Sequence, residues 1–103
     1  MINNHTVTFL STQCHLQFGR YRNGRLAIQL YDGNGEPFAT ATINVPAMPL
    51  AQNQVLIKDY DENEGLLEAL ENAGVVRTTG VRCRLGFVQA DVCHLLIPAP
   101  VVH

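Results

Sequence analysis

The stretch RNGRLAIQLYDGNGEPFATATINV, Arg22 to Val45, decides the architecture of this 103-residue chain. Asn23-Gly24 separates two extended runs, and Asn-Gly is a strong hairpin signal because both turn residues tolerate positive φ. Leu26, Ile28 and Leu30 then alternate with Ala27, Gln29 and Tyr31, which is the period of a strand buried on one face. Asp32 to Pro37 (DGNGEP) is a second turn of glycine and small polar residues. Phe38 to Val45 alternates again, with Thr40, Thr42 and Asn44 opposite Ala39, Ala41, Ile43 and Val45. Two turns and three alternating runs in sequence predict an antiparallel meander.

Outward from this stretch the same reading applies. Val7 to Leu10 is a short apolar strand, and Leu16 to Tyr21 alternates more weakly. Pro46 and Pro49 end the meander in a bend around Met48, and Val55 to Tyr60 is a further strand. From Asp61 the period changes. Leu66, Leu67, Leu70 and Ala73 form one apolar stripe of a helix over 61–73, and Gly74 suits the left-handed stop beyond its end. Val75 onward is extended again, with a turn expected at Thr78-Thr79-Gly80 and strands over Val81 to Val88 and Val92 to Ile97. The prediction is an α+β fold, an antiparallel sheet of about five to seven strands with one helix packed on one face.

Composition bounds the rest. Hydrophobic residues make up 47% and charged residues 16%, enough apolar surface for a core and too little charge for a disordered chain. Residues 1–103 form a single domain on length. Met1 is followed by Ile-Asn-Asn-His without the basic start and apolar run of a signal peptide, and no apolar stretch reaches membrane-spanning length. The expected setting is the cytoplasm, where Cys14, Cys83 and Cys93 stay reduced and buried.

Asp59, Asp61, Glu62, Glu64, Glu68 and Glu71 are six of the nine acidic residues. Asp61 with Glu64 three residues on reads as a reciprocal cap, and acids at a helix start are favoured by its dipole. Glu68 and Glu71 read as solvated surface. Acid–base catalysis by this cluster lacks an opposing constellation. A calcium loop would need alternating ligands and a distant glutamate.

Cys14-His15 and Cys93-His94 each point two ways from a strand and lack zinc spacing, so buried thiols are expected and no metal. A nucleophile pair formed at a distance, such as Cys14 with His94, stays open. No phosphate-cradling loop, nucleophile elbow or dinucleotide fingerprint is present. No cofactor is expected, and no catalytic residue is assigned.

The charge layout is asymmetric. Outside residues 59–71 there are seven basic residues and three acidic ones. Arg20, Arg22 and Arg25 flank the first turn beside Tyr21, and Arg82 and Arg84 share a strand face near Phe87. The candidate binding residues are therefore Arg20, Tyr21, Arg22, Arg25, Arg82 and Arg84 on strands and turns, and Glu62, Glu68 and Glu71 on the helix. A protein partner is the first reading. Single-stranded nucleic acid held by arginines and stacked on the aromatics is the second, weakened by a net charge of −2. Self-pairing of Leu26 to Tyr31 or Leu95 to Ile97 into a homodimer stays open.

Three blocks carry a resemblance: GRLAIQLYDGNGEPFATATINVP (Gly24 to Pro46), IKDYDENEGLLEALENAGVV (Ile57 to Val76) and GFVQADVCHLL (Gly86 to Leu96). In order and spacing they resemble a family of small uncharacterised bacterial proteins encoded mostly on plasmids, phages and integrative elements. The resemblance spans about residues 24–97, and its first block is the most specific. It implies an accessory protein of a mobile element, acting in the bacterial cytoplasm by binding a host component, defence systems included. That family has no established activity, so no site residue follows from it.

Overall fold

The computed structural model describes residues 5–98. Among them, seven strands and one α-helix form an α+β fold, and every strand pairing is antiparallel. The strands divide between two sheets. β1 (Thr6–Phe9), β2 (Thr12–Arg20), β3 (Leu26–Tyr31) and β4 (Pro37–Thr40) form a four-stranded meander in chain order. β5 (Gln54–Ile57), β6 (Val76–Leu85) and β7 (Val88–Leu95) form a three-stranded sheet with β7 in the middle.

The two meander turns share one solution. Tyr21 N–H donates to Arg25 O and Gly24 N–H to Tyr21 O; Asp32 N–H donates to Glu36 O and Gly35 N–H to Asp32 O. Gly24 and Gly35 have φ of 87° and 78°. This is a three-residue loop closing on a left-handed glycine. Asn23 keeps negative φ, so the expected two-residue Asn-Gly turn is corrected: its side-chain Oδ1 instead accepts the Arg25 N–H. Leu10 and Ser11 do take the double positive φ, 50° and 61°, between β1 and β2.

The expected strand Phe38 to Val45 is cut short because the chain changes sheets inside it. Ala41 N–H still donates to Ile28 O, whereas Ala41 O accepts from Lys58 N–H and Ile43 N–H donates to Leu56 O. Thr42 makes an isolated bridge to Ile57. The four-stranded sheet also curls: Phe9 of one edge strand meets Phe38 of the other edge-on, ring centroids 6.2 Å apart. A flat sheet would hold those strands about 14 Å apart.

The single helix expected over about 61–73 is present, with a break in its first turns. A 3-10 turn, Asp61–Asn63, precedes α1 (Leu66–Asn72), and Gly65 at φ 93° interrupts them. Asp61 has φ 53° and makes no cap; the cap is Asp59, whose Oδ1 accepts both Gly65 N–H and Leu67 N–H. A carboxylate reaching over this break satisfies two N–H groups at the helix start, which Asp61 inside the 3-10 turn does not. Gly74, at φ 74°, ends the helix as its sequence indicated.

α1 packs against β1 and β6, one edge strand from each sheet. Its Leu66 and Leu70 join Val7, Phe9, Ile28, Leu30, Ile57, Val76 and Cys93 in the main core. A smaller core of Leu56, Cys83, Ala90 and Val92 lies on the other face of the three-stranded sheet. The proline-flanked segment covers it with Ile43, Val45, Met48 and Leu50.

The expected turn at Thr78-Thr79-Gly80 is a bulge within β6, where Thr78 pairs with Cys93 and Arg82 with Asp91. Thr79 Oγ1 donates to Val92 O, so the ladder is bridged by a side chain while the strand continues. The reversal falls at Gly86-Phe87, with Leu85 opposite Val88. Only Gly86 has positive φ there, 66°, as a two-residue turn with glycine first requires.

Candidate functional site

The nine candidate residues separate into those that serve the fold and those that face solvent. Arg25 is structural. Its guanidinium donates to the carbonyls of Val45 and Met48, pinning the segment over the smaller core. Tyr21 turns its hydroxyl inward to Thr42 Oγ1 at 2.9 Å. Arg20 donates to Gly24 O at 3.0 Å across its own turn, and Arg22 is exposed at the tip.

On the acidic side, exposed Glu62 pairs with Lys58, whose hydrogen bond holds its carboxyl below the usual range. Glu71 is half-buried, and its Oε2 accepts Thr78 N–H at 3.2 Å, tying α1 to β6. Glu68 is exposed, and its carboxylate makes no ion pair among the described residues.

Arg82 and Arg84 stand on the β6–β7 hairpin. Arg82 binds Asp91 through Nε at 3.1 Å, with its side chain 63% exposed. Arg84 is exposed and makes no ion pair among the described residues. Phe87 is fully exposed at the turn, and Val81 is exposed on the same strand. Together they expose apolar surface beside the two arginines. Phe87 is the residue that sequence reasoning left out of its candidates. The signal was available in Gly86-Phe87, but it was hidden by reading Val81 to Val88 as one strand.

Asp91 was also missed. It is buried at the root of the same hairpin, and desolvation raises its pKa. The Arg82 guanidinium opposes that rise, while Asp59 and Glu71 add to it. These three carboxylates, distant in sequence, thus share one electrostatic neighbourhood where α1 meets β6. The folded state holds the Asp91 proton more tightly than the unfolded chain. Its stabilising contribution is therefore present at acid pH and is lost as pH rises through the folded pKa. Asp91→Asn keeps an oxygen acceptor for Arg82 and removes the charge. The variant is expected to melt higher than the parent at neutral pH, with the difference vanishing as pH falls through the carboxylate range. Melting temperature against pH for both proteins checks this; a lower melting temperature for the variant at neutral pH would show that the Arg82 pair outweighs desolvation.

Burial disfavours the reactive thiolate at Cys14 and Cys93. All three cysteines are buried and free. Burial, with Asp91 next in effect, pushes the Cys93 thiol up to about 12, and burial also raises Cys14. Such thiols stay protonated at neutral pH.

A cleft of about 570 Å³ lies elsewhere, between Phe9, Leu10, Pro37 and Phe38 on one side and Lys58, Glu62 and Asn63 on the other. Asn63 is buried and donates to Thr40 O at 2.7 Å, closing the outer edge of β4. Of the segments expected to self-pair, Leu26 to Tyr31 is corrected, because β3 lies between β2 and β4; Leu95 ends β7, and Leu96 and Ile97 lie beyond that strand.

The fold therefore defines the class: a two-sheet antiparallel α+β domain presenting an arginine-bearing hairpin with an aromatic tip. Compared with family models, curated proteins and solved structures, the chain finds no match. Among the described residues, no helix is long and apolar enough to cross a membrane.

Proposed function

We propose that this is a non-enzymatic accessory protein of a mobile genetic element, working in the bacterial cytoplasm by binding a host protein. A component of a host defence system is one such partner. The mobile-element part of this reading rests on the sequence resemblance. The binding part rests on one observation: Phe87 is fully exposed at the tip of a hairpin that also presents Arg82, Arg84 and Val81. Glu62 on the 3-10 turn and Glu68 on α1 are a second exposed charge set on the same molecule.

The test is capture from a bacterial lysate with tagged parent and Phe87→Ser protein, with and without nuclease. A stoichiometric protein band that survives nuclease and disappears with Phe87→Ser is expected. Single-stranded nucleic acid is the alternative, favoured by the same two arginines beside an aromatic ring that a base can stack on. Under that alternative, bands vanish with nuclease and affinity for an oligonucleotide falls steeply as salt rises.

A further inference from the structure

β6 is an edge strand whose two halves differ. Its first half is closed by α1, because Glu71 takes the Thr78 N–H. Beyond the bulge, Arg82 to Leu85 pair regularly with Asp91 to Val88 and have no strand on the outer side among the described residues. The two-residue turn makes Leu85–Val88 a hydrogen-bonded pair, and such pairs alternate along an antiparallel ladder. Cys83–Ala90 is then bonded inward, and the N–H and C=O groups of Arg82 and Arg84 point away from β7. The two residues with outward backbone groups are thus the two arginines, and their side chains share one sheet face.

We propose that this open edge receives an acidic extended segment of the partner protein as an added antiparallel strand. The inference rests on the protein-binding reading above and names the chemistry of its partner. Charge selects the occupant. β6 carries Arg77, Arg82 and Arg84 and no acidic residue.

A second copy fits badly: antiparallel pairing of two such edges about Cys83 sets Arg82 against Arg84 twice, and like charges directly opposite are destabilising. A strand with Glu or Asp at alternate positions meets both arginines with carboxylates while its backbone pairs with theirs. Arg84 is unpaired among the described residues. Arg82 uses only Nε for Asp91, which leaves its terminal nitrogens available for a carboxylate. Phe87, two residues past the end of β6, adds an exposed apolar side chain at the end of this edge.

The experiment is a titration of the full chain with three labelled probes, read by anisotropy. The probes are a peptide of alternating Glu and Val, its Lys-Val counterpart, and a single-stranded oligonucleotide of equal length. A fourth arm uses the Glu-Val peptide with alternate backbone amides methylated, which keeps the charge and removes strand pairing. The expected result is saturable binding of the Glu-Val peptide alone, weakened about tenfold by Arg84→Glu, as for loss of one charge-assisted pair. Methylation should abolish it. An unchanged melting temperature for Arg84→Glu confirms that the exposed substitution leaves the fold intact.

Equal binding of the methylated peptide would overturn strand addition, as would preference for the Lys-Val peptide or for the oligonucleotide. The two readings fail separately. If the lysate partner is lost with Phe87→Ser yet neither competed by the Glu-Val peptide nor sensitive to Arg84→Glu, protein binding stands and the acidic strand falls. If no nuclease-resistant partner is captured but the peptide binds as expected, the edge chemistry stands without a host partner.

Discussion

Leu70→Ala is expected to lower the stability of the domain by about 2–5 kcal/mol, the range for deleting a buried leucine side chain with incomplete collapse of the cavity. Leu70 is fully buried and shares the main core with Val7, Phe9, Val75 and Val76. With Leu66 it is one of the two fully buried side chains of a helix of only 7 residues that packs against β1 and β6. So short a helix is unstable alone, and its order derives from this seat. For a domain of this size the loss corresponds to a fall in melting temperature of at least about 10 °C. Denaturant midpoints of Leu70→Ala and of half-buried Leu67→Ala would measure it. A loss below about 1 kcal/mol at Leu70, or one equal to that at Leu67, would mean that α1 does not pack against β1 and β6 as described.

Thr42→Val is expected to cost about 1–3 kcal/mol for each buried polar group left without a partner. Ile28 is fully buried, and its N–H donates to Thr42 Oγ1 at 3.1 Å, at the point where the chain leaves the first sheet. The same hydroxyl meets Tyr21 OH at 2.9 Å. Valine fills the same volume and offers neither bond. Tyr21→Phe removes only the phenol, leaves Thr42 free to accept from Ile28, and should cost less. Urea denaturation of the two variants orders them. A Thr42→Val protein as stable as the parent would show that water or a shifted backbone takes the Ile28 N–H, and that the hydroxyl is not what lets the strand change sheets.

Much of the fold was legible because local chemistry and tertiary need agree. Leu26, Ile28 and Leu30 alternate with polar or small residues, and β3 buries Ile28 and Leu30 as that alternation implies. Gly24, Gly35 and Gly74 stand where positive φ is required. Where the reading failed, side chains had replaced backbone partners. Asp59, two residues upstream of the expected cap, reaches over a broken 3-10 turn. Thr79 bridges a bulge that its glycine neighbour made look like a turn. Thr42 lets one alternating run serve two sheets. Periodicity reports which face a residue occupies and is blind to which strand lies beside it.

The candidate site was half visible for the same reason. Arg82 and Arg84 at a spacing of two had to share a face, and β6 bears that out. Their availability was not readable, since Arg25 carries the same charge and is consumed by two carbonyls, whereas Arg84 is not. Nor was the exposure of Phe87, because a phenylalanine in an apolar run reads as core until the turn beneath it is located.

By itself, the sequence determined that this chain would be an α+β domain of antiparallel strands with one helix, and that its acids would crowd near that helix. Those follow from periodicity, turn chemistry and composition, which are local. Only the tertiary structure decided that the strands divide into two sheets, that the charges of Asp59 and Glu71 act on Asp91, and that half of β6 is an open edge among the described residues. Those depend on which distant segments share one core, and that choice is settled by packing across the whole chain.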